Sequence, residues 1–239
     1  MTRVLVTRAD PDGQIFAEQC RAAGFDPVLA PVMRIEIASA KINLGEVSAL
    51  AFTSANGVRA FAANSARRDL SVFAVGPVTA EAANAAGFEK ISAAGGDIES
   101  LASHIASERG LTQKGVLHIA GGNRAGDLEA LLKEQGVAAR RQTLYEAVAM
   151  ETLSPEAIAV MAGKSDLWVT LFSPRTAMLF LNLAEMAGLK AQLATMRAAC
   201  LSKAVADAAS RGQWAEVKVA PDRTAMGVLR LLEAQAKRA

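Results

Sequence analysis

The residues of this chain that could do chemistry stand at a few positions, each just after a short apolar run. Tyr145 is the only tyrosine, and it lies in the alternating segment Leu144–Ala149. Two readings of it are open: a partly buried packing ring, or a phenol that donates a proton or hydrogen bond to a leaving group. The stretch Phe52-Thr53-Ser54-Ala55-Asn56-Gly57-Val58 concentrates small polar groups. Thr53, Ser54 and Asn56 are all natural helix caps, and one helix start needs only one. The excess suggests a loop that faces a ligand. Ser173 and Pro174 begin a similar stretch, with proline near its favoured first helical position. In Val75-Gly76-Pro77-Val78-Thr79 a glycine sits where a strand turns into a helix. That is a common α/β turn, and it also lets backbone approach a ligand closely. Ser202-Lys203 takes the matching place later in the chain. Arg8 follows Thr7 at the end of the first apolar run. It is either an ordinary solvated turn residue or a guanidinium placed to grip carboxylates.

Other chemistries find little support. Gly121-Gly122-Asn123-Arg124-Ala125-Gly126 spaces its glycines as GGxxxG, and the next strand ends near Arg140-Arg141 instead of in an acid. Nicotinamide or flavin binding is therefore not expected. A loop shaped by glycine is, with Gly121 as a candidate contact. His104 reads as a surface residue and His118 as a packed, hydrogen-bonded strand residue. Two isolated histidines and two isolated cysteines, Cys20 and Cys200, make no metal constellation. The cysteines read as reduced, buried thiols. No serine stands in a nucleophile elbow, and no carboxylate pair stands out. A net charge of +2 without a basic run argues against nucleic acid as a partner. No apolar run reaches the ~18 residues of a membrane span, and the N-terminus lacks a signal-peptide layout. A cytoplasmic protein is expected.

These residues need elements to hold them. The chain is 51% hydrophobic but only 5% aromatic, so aliphatic residues and alanine must fill the core, as they do under parallel sheets. Apolar runs near 3–7, 27–30, 49–53, 72–75, 89–92, 115–119, 167–172, 198–201 and 216–219 alternate with amphipathic stretches. Strand alternating with helix predicts parallel sheets covered on both faces. Met33–Ile37 and Leu144–Ala149 break the rhythm, because both alternate at period two and neither leads at once into a helix. The chain also repeats itself faintly. Val4-Leu5 and Val116-Leu117 lie 112 residues apart, and the same spacing relates Gly24 to Gly136 and Met33–Ile35 to Tyr145–Ala147. Phe52–Asn56 resembles Leu171–Arg175, and Val75–Ala83 resembles Leu201–Ala209. The units run A-B-C, then A′-B′-C′. Either each half folds alone, or the first unit joins the last two around an insertion. The place of the two alternating segments favours insertion. The expected fold is α/β: two flavodoxin-like parallel-sheet domains, one formed by 1–32 and 150–239, the other by the inserted 38–142. The segments 33–37 and 143–149 would join them as a two-stranded β-ribbon hinge.

The order of these features resembles the uroporphyrinogen-III synthase family over nearly the whole chain. The matching residues are Val4–Arg8, Pro31, Phe52–Val58, Ala74–Ala80, Gly87, Tyr145, Phe172-Ser173-Pro174, Cys200 and Ala220-Pro221. The chain departs from the family's usual pattern at Ala120, Arg124, Ser202 and Val205. The resemblance implies a cofactor-free lyase whose substrate is hydroxymethylbilane, a linear tetrapyrrole bearing many carboxylates. Its terminal hydroxyl leaves, an azafulvene cation forms, ring D attacks through its substituted carbon, and a spiro intermediate recloses with ring D inverted. The substrate supplies the reactivity, so the protein's task is positioning. The resemblance implies Tyr145 as the catalytic residue. It implies substrate contacts from Arg8, Thr53, Ser54, Asn56, Gly57, Gly76, Thr79, Gly121, Ser173, Pro174 and Lys203 across a cleft between the domains. A nearly neutral charge and the lack of a sustained heptad suggest a monomer, and transient contact with hydroxymethylbilane synthase is a further expectation. A two-domain cytoplasmic metabolite-binding protein without catalysis is the alternative. A pair of phosphorylation receivers would need acids at strand ends, and Val4–Arg8 offers none.

Overall fold

A computed structural model describes residues 1–108, 110, 113–122, 126–163 and 166–236. Asn123, Arg124 and Ala125 of the glycine loop lie outside the described residues. The chain divides into an outer unit, Met1–Arg34 with Val148–Ala239, and an inserted unit, Ile35–Ala147.

The outer unit begins with β1 (Arg3–Val6), α1 (Asp12–Ala22) and β2 (Asp26–Leu29), and β3 (Met33–Ile37) leaves it. The inserted unit runs β4 (Ala49–Phe52), α2 (Ala55–Asn64), β5 (Ser71–Ala74), α3 (Pro77–Ala85), β6 (Ile91–Ala93), α4 (Ile98–Ser107), β7 (Val116–Gly121) and α5 (Leu128–Glu134). β8 (Ala139–Ala149) leads back to α6 (Pro155–Ala162), β9 (Leu167–Leu171), α7 (Pro174–Met186), β10 (Arg197–Cys200), α8 (Lys203–Ala209), β11 (Glu216–Val219) and α9 (Ala225–Ala236). Every residue of β4, β5 and β9 is buried, as expected of parallel strands covered on both faces. In the outer sheet Leu5 and Val169 enter one hydrophobic cluster while Val4, Val6 and Trp168 enter another, so each face has its own core.

The outer sheet is ordered β11-β10-β9-β1-β2. Numbered within the unit that is 2-1-3-4-5, the flavodoxin order. The inserted sheet is ordered β3-β8-β7-β4-β5-β6. Its five parallel strands, numbered within the unit, run 3-2-1-4-5. The two orders are one arrangement begun at different points. Val4 of β1 stands between Pro27 and Trp168, and Val116 of β7 stands between Ala139 and Ala49. Ala198 pairs with Val169 as Val72 pairs with Leu50. Thus β7 matches β1, β8 matches β2, and β4, β5 and β6 match β9, β10 and β11. The inserted unit is a circular permutation of the outer one, which gives the A-B-C repeat a physical basis.

β3 pairs with β8. Met150 donates its N–H to Val32 O at 3.0 Å and Ala38 donates to Leu144 O at 2.9 Å, so this ribbon is antiparallel. β8 begins earlier than its period-two stretch suggests. Its first part, from Ala139, extends the parallel sheet beside β7. The β7–β8 register then shifts between Ala120 and Gly121, which sets Gly121 opposite Tyr145. Such a bulge re-aims the side chains beyond it. Among the described residues no helix is long and apolar enough to cross a membrane.

Candidate functional site

In an open parallel sheet ligands bind beyond the carboxyl ends of the strands, where the strand order reverses. In the inserted unit that point lies between β4 and β7. Thr53 and Ser54 follow the end of β4, and Ser54 is the N-cap of α2. Its backbone is extended (φ −160°, ψ 158°), and its Oγ accepts the Gly57 N–H at 3.2 Å. The Tyr145 hydroxyl lies 2.7 Å from the same Oγ. A Cβ at Gly121 would come within 2.8 Å of the Tyr145 ring, so glycine is what admits the phenol here. On the other side of the loop, Thr53 Oγ1 is 3.1 Å from His118 Nε2. His118 Nδ1 is 2.5 Å from Glu129 Oε1. His118 is 5% exposed. A hydroxyl, an imidazole and a carboxylate therefore form a line beneath the loop that carries the Ser54–Tyr145 pair.

Sequence reasoning placed His118 in a strand as a hydrogen-bonded residue but missed its partners. The missing signal was the β4–β7 pairing, which sets Ala51 beside His118. His104, expected at the surface, is half-buried, with Nε2 2.5 Å from Ser92 Oγ and its ring in a T-shaped contact with Phe73. The remaining candidates in this unit fall at various places. Asn56 Oδ1 accepts from Arg59 at 2.7 Å. Gly57 is turned inward, and a Cβ there would come within 2.8 Å of Ile119 O, so its absence lets α2 lie close on β7. Gly76 caps α3 in extended conformation, and a Cβ there would lie 3.4 Å from Gly96 Cα. Thr79 is 5% exposed.

The matching point of the outer unit lies between β1 and β9. Arg8 stacks on Phe172, its guanidinium carbon 4.6 Å from the ring centre, and pairs with Asp12 at 3.1 Å. Pro11 holds the N-cap position of α1 and makes no side-chain capping hydrogen bond. Ser173 caps α7, accepting from Thr176 N at 3.0 Å, with Thr176 Oγ1 at 2.7 Å. Pro174 is the first residue of that helix. Lys203 is exposed and pairs with Asp207 at 3.1 Å. Burial pushes the thiols of Cys20 and Cys200 up to about 12, the nearby Arg21 opposing it weakly at Cys20, so neither is a poised nucleophile. Among the described residues no group of three or more histidine, cysteine or acidic side chains is placed to hold a metal.

Two doubly wound α/β units, one inserted into the other through a β-ribbon and each with polar groups at its switch point, define the class of protein. A sequence model described as uroporphyrinogen-III synthase HemD matches residues 14–230. The chain belongs to the uroporphyrinogen-III synthase family. Its activity is that family's lyase reaction, the dehydrative cyclisation of hydroxymethylbilane to uroporphyrinogen III in tetrapyrrole biosynthesis. The fold is also similar to that of uroporphyrinogen-III synthetase from Helicobacter pylori 26695: TM-score 0.67, 17% identity, 98% of this chain and 99% of that one covered. A mutant uroporphyrinogen III synthase from the extremely thermophilic bacterium Thermus thermophilus matches with TM-score 0.51 and 18% identity, each chain fully covered at 100%. No curated protein matches by sequence.

Proposed function

We propose that the dehydration is carried out at the carboxyl end of the inserted sheet, with Tyr145 assisting departure of the substrate's terminal hydroxyl. The observation that carries this reading is the 2.7 Å contact between Tyr145 Oη and Ser54 Oγ at a helix start. Ser54 Oγ already accepts from the Gly57 N–H. Its own proton is then free to go to Tyr145 Oη, and the phenol's proton points onward. Aligned hydrogen bonds of this kind polarise one another. The positive end of α2 stands behind them and favours negative charge on the phenol oxygen.

The chemistry then runs in order. The C–O bond of the hydroxymethyl group breaks, its electron pair and the Tyr145 proton leave with the oxygen as water, and the azafulvene cation remains. Ser54 holds the phenolate. Ring D attacks through its substituted carbon, the spiro intermediate breaks and recloses, and the ring proton lost at the end restores the phenol. The substrate's carboxylates are bound by polar groups that follow strand ends: Asn56 in the inserted unit, Arg8, Ser173 and Lys203 in the outer one, while Thr53 also contacts the substrate. Gly57, Gly76, Thr79, Gly121 and Pro174 shape the turns that present them. No cofactor takes part. The protein works as a cytoplasmic monomer that meets hydroxymethylbilane synthase only transiently, and sedimentation at assay concentration tests the monomer.

The direct test is Tyr145→Phe in a coupled assay with separation of isomers I and III. Loss of a general acid lowers kcat by roughly 10²-fold. A variant with near full activity refutes the role.

A further inference from the structure

We propose that Glu129 and His118 are positioning residues that fix the Thr53 hydroxyl as an acceptor for a pyrrole N–H of the substrate. The inference rests on the reading that this rim binds the tetrapyrrole, and it sharpens what Thr53 does there. An ionised carboxylate only accepts hydrogen bonds, so Glu129 at 2.5 Å takes the proton carried by His118 Nδ1. We take the ring as neutral, and in that tautomer it offers only a lone pair at Nε2. The single Thr53 proton is thereby committed to Nε2, 3.1 Å away. Thr53 is half-exposed, and the outward side of its oxygen carries lone pairs alone. Lone pairs repel a carboxylate and accept an N–H. The substrate has one such donor on each pyrrole, so this contact orients a ring, while carboxylates go to the donors elsewhere on the rims.

The second copy of the fold serves as an internal control. At the repeat spacing of 112 residues, His118 matches Val6 and Glu129 matches Ala17, both fully buried and apolar. By the β4–β9 correspondence Thr53 matches Phe172. The same scaffold thus needs no polar group at any of the three positions. A buried imidazole held between a hydroxyl and a carboxylate is costlier than an apolar filling unless its ring nitrogens are satisfied, so its presence in one copy alone points to function.

The test combines spectroscopy and kinetics on the full chain. The chain has two histidines, so ¹⁵N-histidine NMR is assigned with one variant, His104→Gln. The expected spectrum shows His118 protonated at Nδ1 and bare at Nε2. Glu129→Gln keeps the side-chain shape but can offer an amide N–H to Nδ1, so protonation shifts toward Nε2. Thr53→Val keeps the shape and removes the acceptor. Each of these two variants is expected to lower kcat/KM about tenfold and raise the share of isomer I, while Thr53→Ser stays within about twofold of the parent. A wild-type His118 protonated at Nε2 overturns the proposal, and so does a Thr53→Val enzyme with parental kcat/KM and isomer ratio. If Tyr145→Phe is impaired while Thr53→Val is normal, this inference alone fails. If Tyr145→Phe is fully active, the reading of the rim fails, whatever the tautomer.

Discussion

Gly121→Ala puts one methyl group against the proposed acid. The added Cβ would stand 2.8 Å from Cε2 and Cζ of Tyr145 and 3.1 Å from its hydroxyl. Carbon atoms in good contact sit about 3.5–4.0 Å apart, so the ring must retreat by about 1 Å. The Ser54–Tyr145 distance of 2.7 Å leaves no slack for that, since a bond stretched by so much is no longer a hydrogen bond. Gly121 does not have positive φ, so alanine meets no backbone strain, and the half-buried ring can give way without unfolding the sheet. The cost therefore falls on the transition state. A hydrogen bond to a charged oxygen contributes about 1.5–3 kcal/mol, which corresponds to a kcat lower by roughly 10- to 100-fold. The assay is steady-state turnover of hydroxymethylbilane with isomer separation, beside a thermal melt. Gly122→Ala is the control, because there the new methyl meets only the flexible Glu146 side chain at 3.3 Å. The double variant Gly121→Ala, Tyr145→Phe should be no slower than Tyr145→Phe alone, because both act through one group. A Gly121→Ala enzyme with parental kcat, or a double variant in which the two losses add, refutes the reasoning.

Ser54→Ala and Ser173→Ala each remove a helix cap, at a cost of about 1 kcal/mol by denaturant unfolding, but only Ser54→Ala should also lower kcat. Arg8→Ala loses a cation stacked on Phe172 and already shared with Asp12, so KM should rise about fivefold with kcat and isomer ratio unchanged; a fall in kcat alone counts against a binding role. The thiols of Cys20 and Cys200, raised by burial from 9.0 to about 12, contribute stability that is fully present below pH 9. Above that pH the unfolded chain loses thiol protons that the folded one keeps, so stability should fall between pH 9 and about 12. Cys20→Ala with Cys200→Ala should flatten that part of the profile.

Much of the scaffold was legible because it is written locally. Ala49–Phe52, fully apolar, and Leu167–Leu171, apolar but for Thr170, lack the alternation of half-exposed strands, and Ser54 and Ser173 announce the helices that follow them. β8 was legible only in its second part. Ala139–Gln142 is polar because this stretch stands partly open beyond β7, so its alternation carries no apolar face to read. The Thr53–His118–Glu129 line was not legible at all. Thr53 and His118 are 65 residues apart, and only the pairing of β4 with β7 makes them neighbours. Tyr145 could be singled out by rarity, but its partner could not. The register shift beside Gly121, which turns the ring toward Ser54, is a property of two strands together.

The permuted copies turn an architectural fact into an argument about chemistry. The registers match strand for strand as far as the bulge beside Gly121, so a difference between matched positions need not reflect the demands of the fold. At the spacing of 112 residues Arg8 matches Ala120 and Met33 matches Tyr145. The helix caps Ser54 and Ser173 are common to both copies and so belong to the scaffold. What differs is what stands next to each cap. In the inserted unit Ser54 meets a phenol at 2.7 Å; in the outer unit Ser173 meets Thr176 of its own helix, and the nearby charge is a guanidinium on Phe172. A guanidinium on an aromatic ring suits a carboxylate that must be held. A phenol with a polarised donor behind it suits a bond that must break. Under the proposed function the two copies divide binding from chemistry. Met33→Tyr tests it directly: at the repeat spacing Gly121's counterpart is Ala9, and since a Cβ at Gly121 itself would press on the ring, the substitution should not create a second acid.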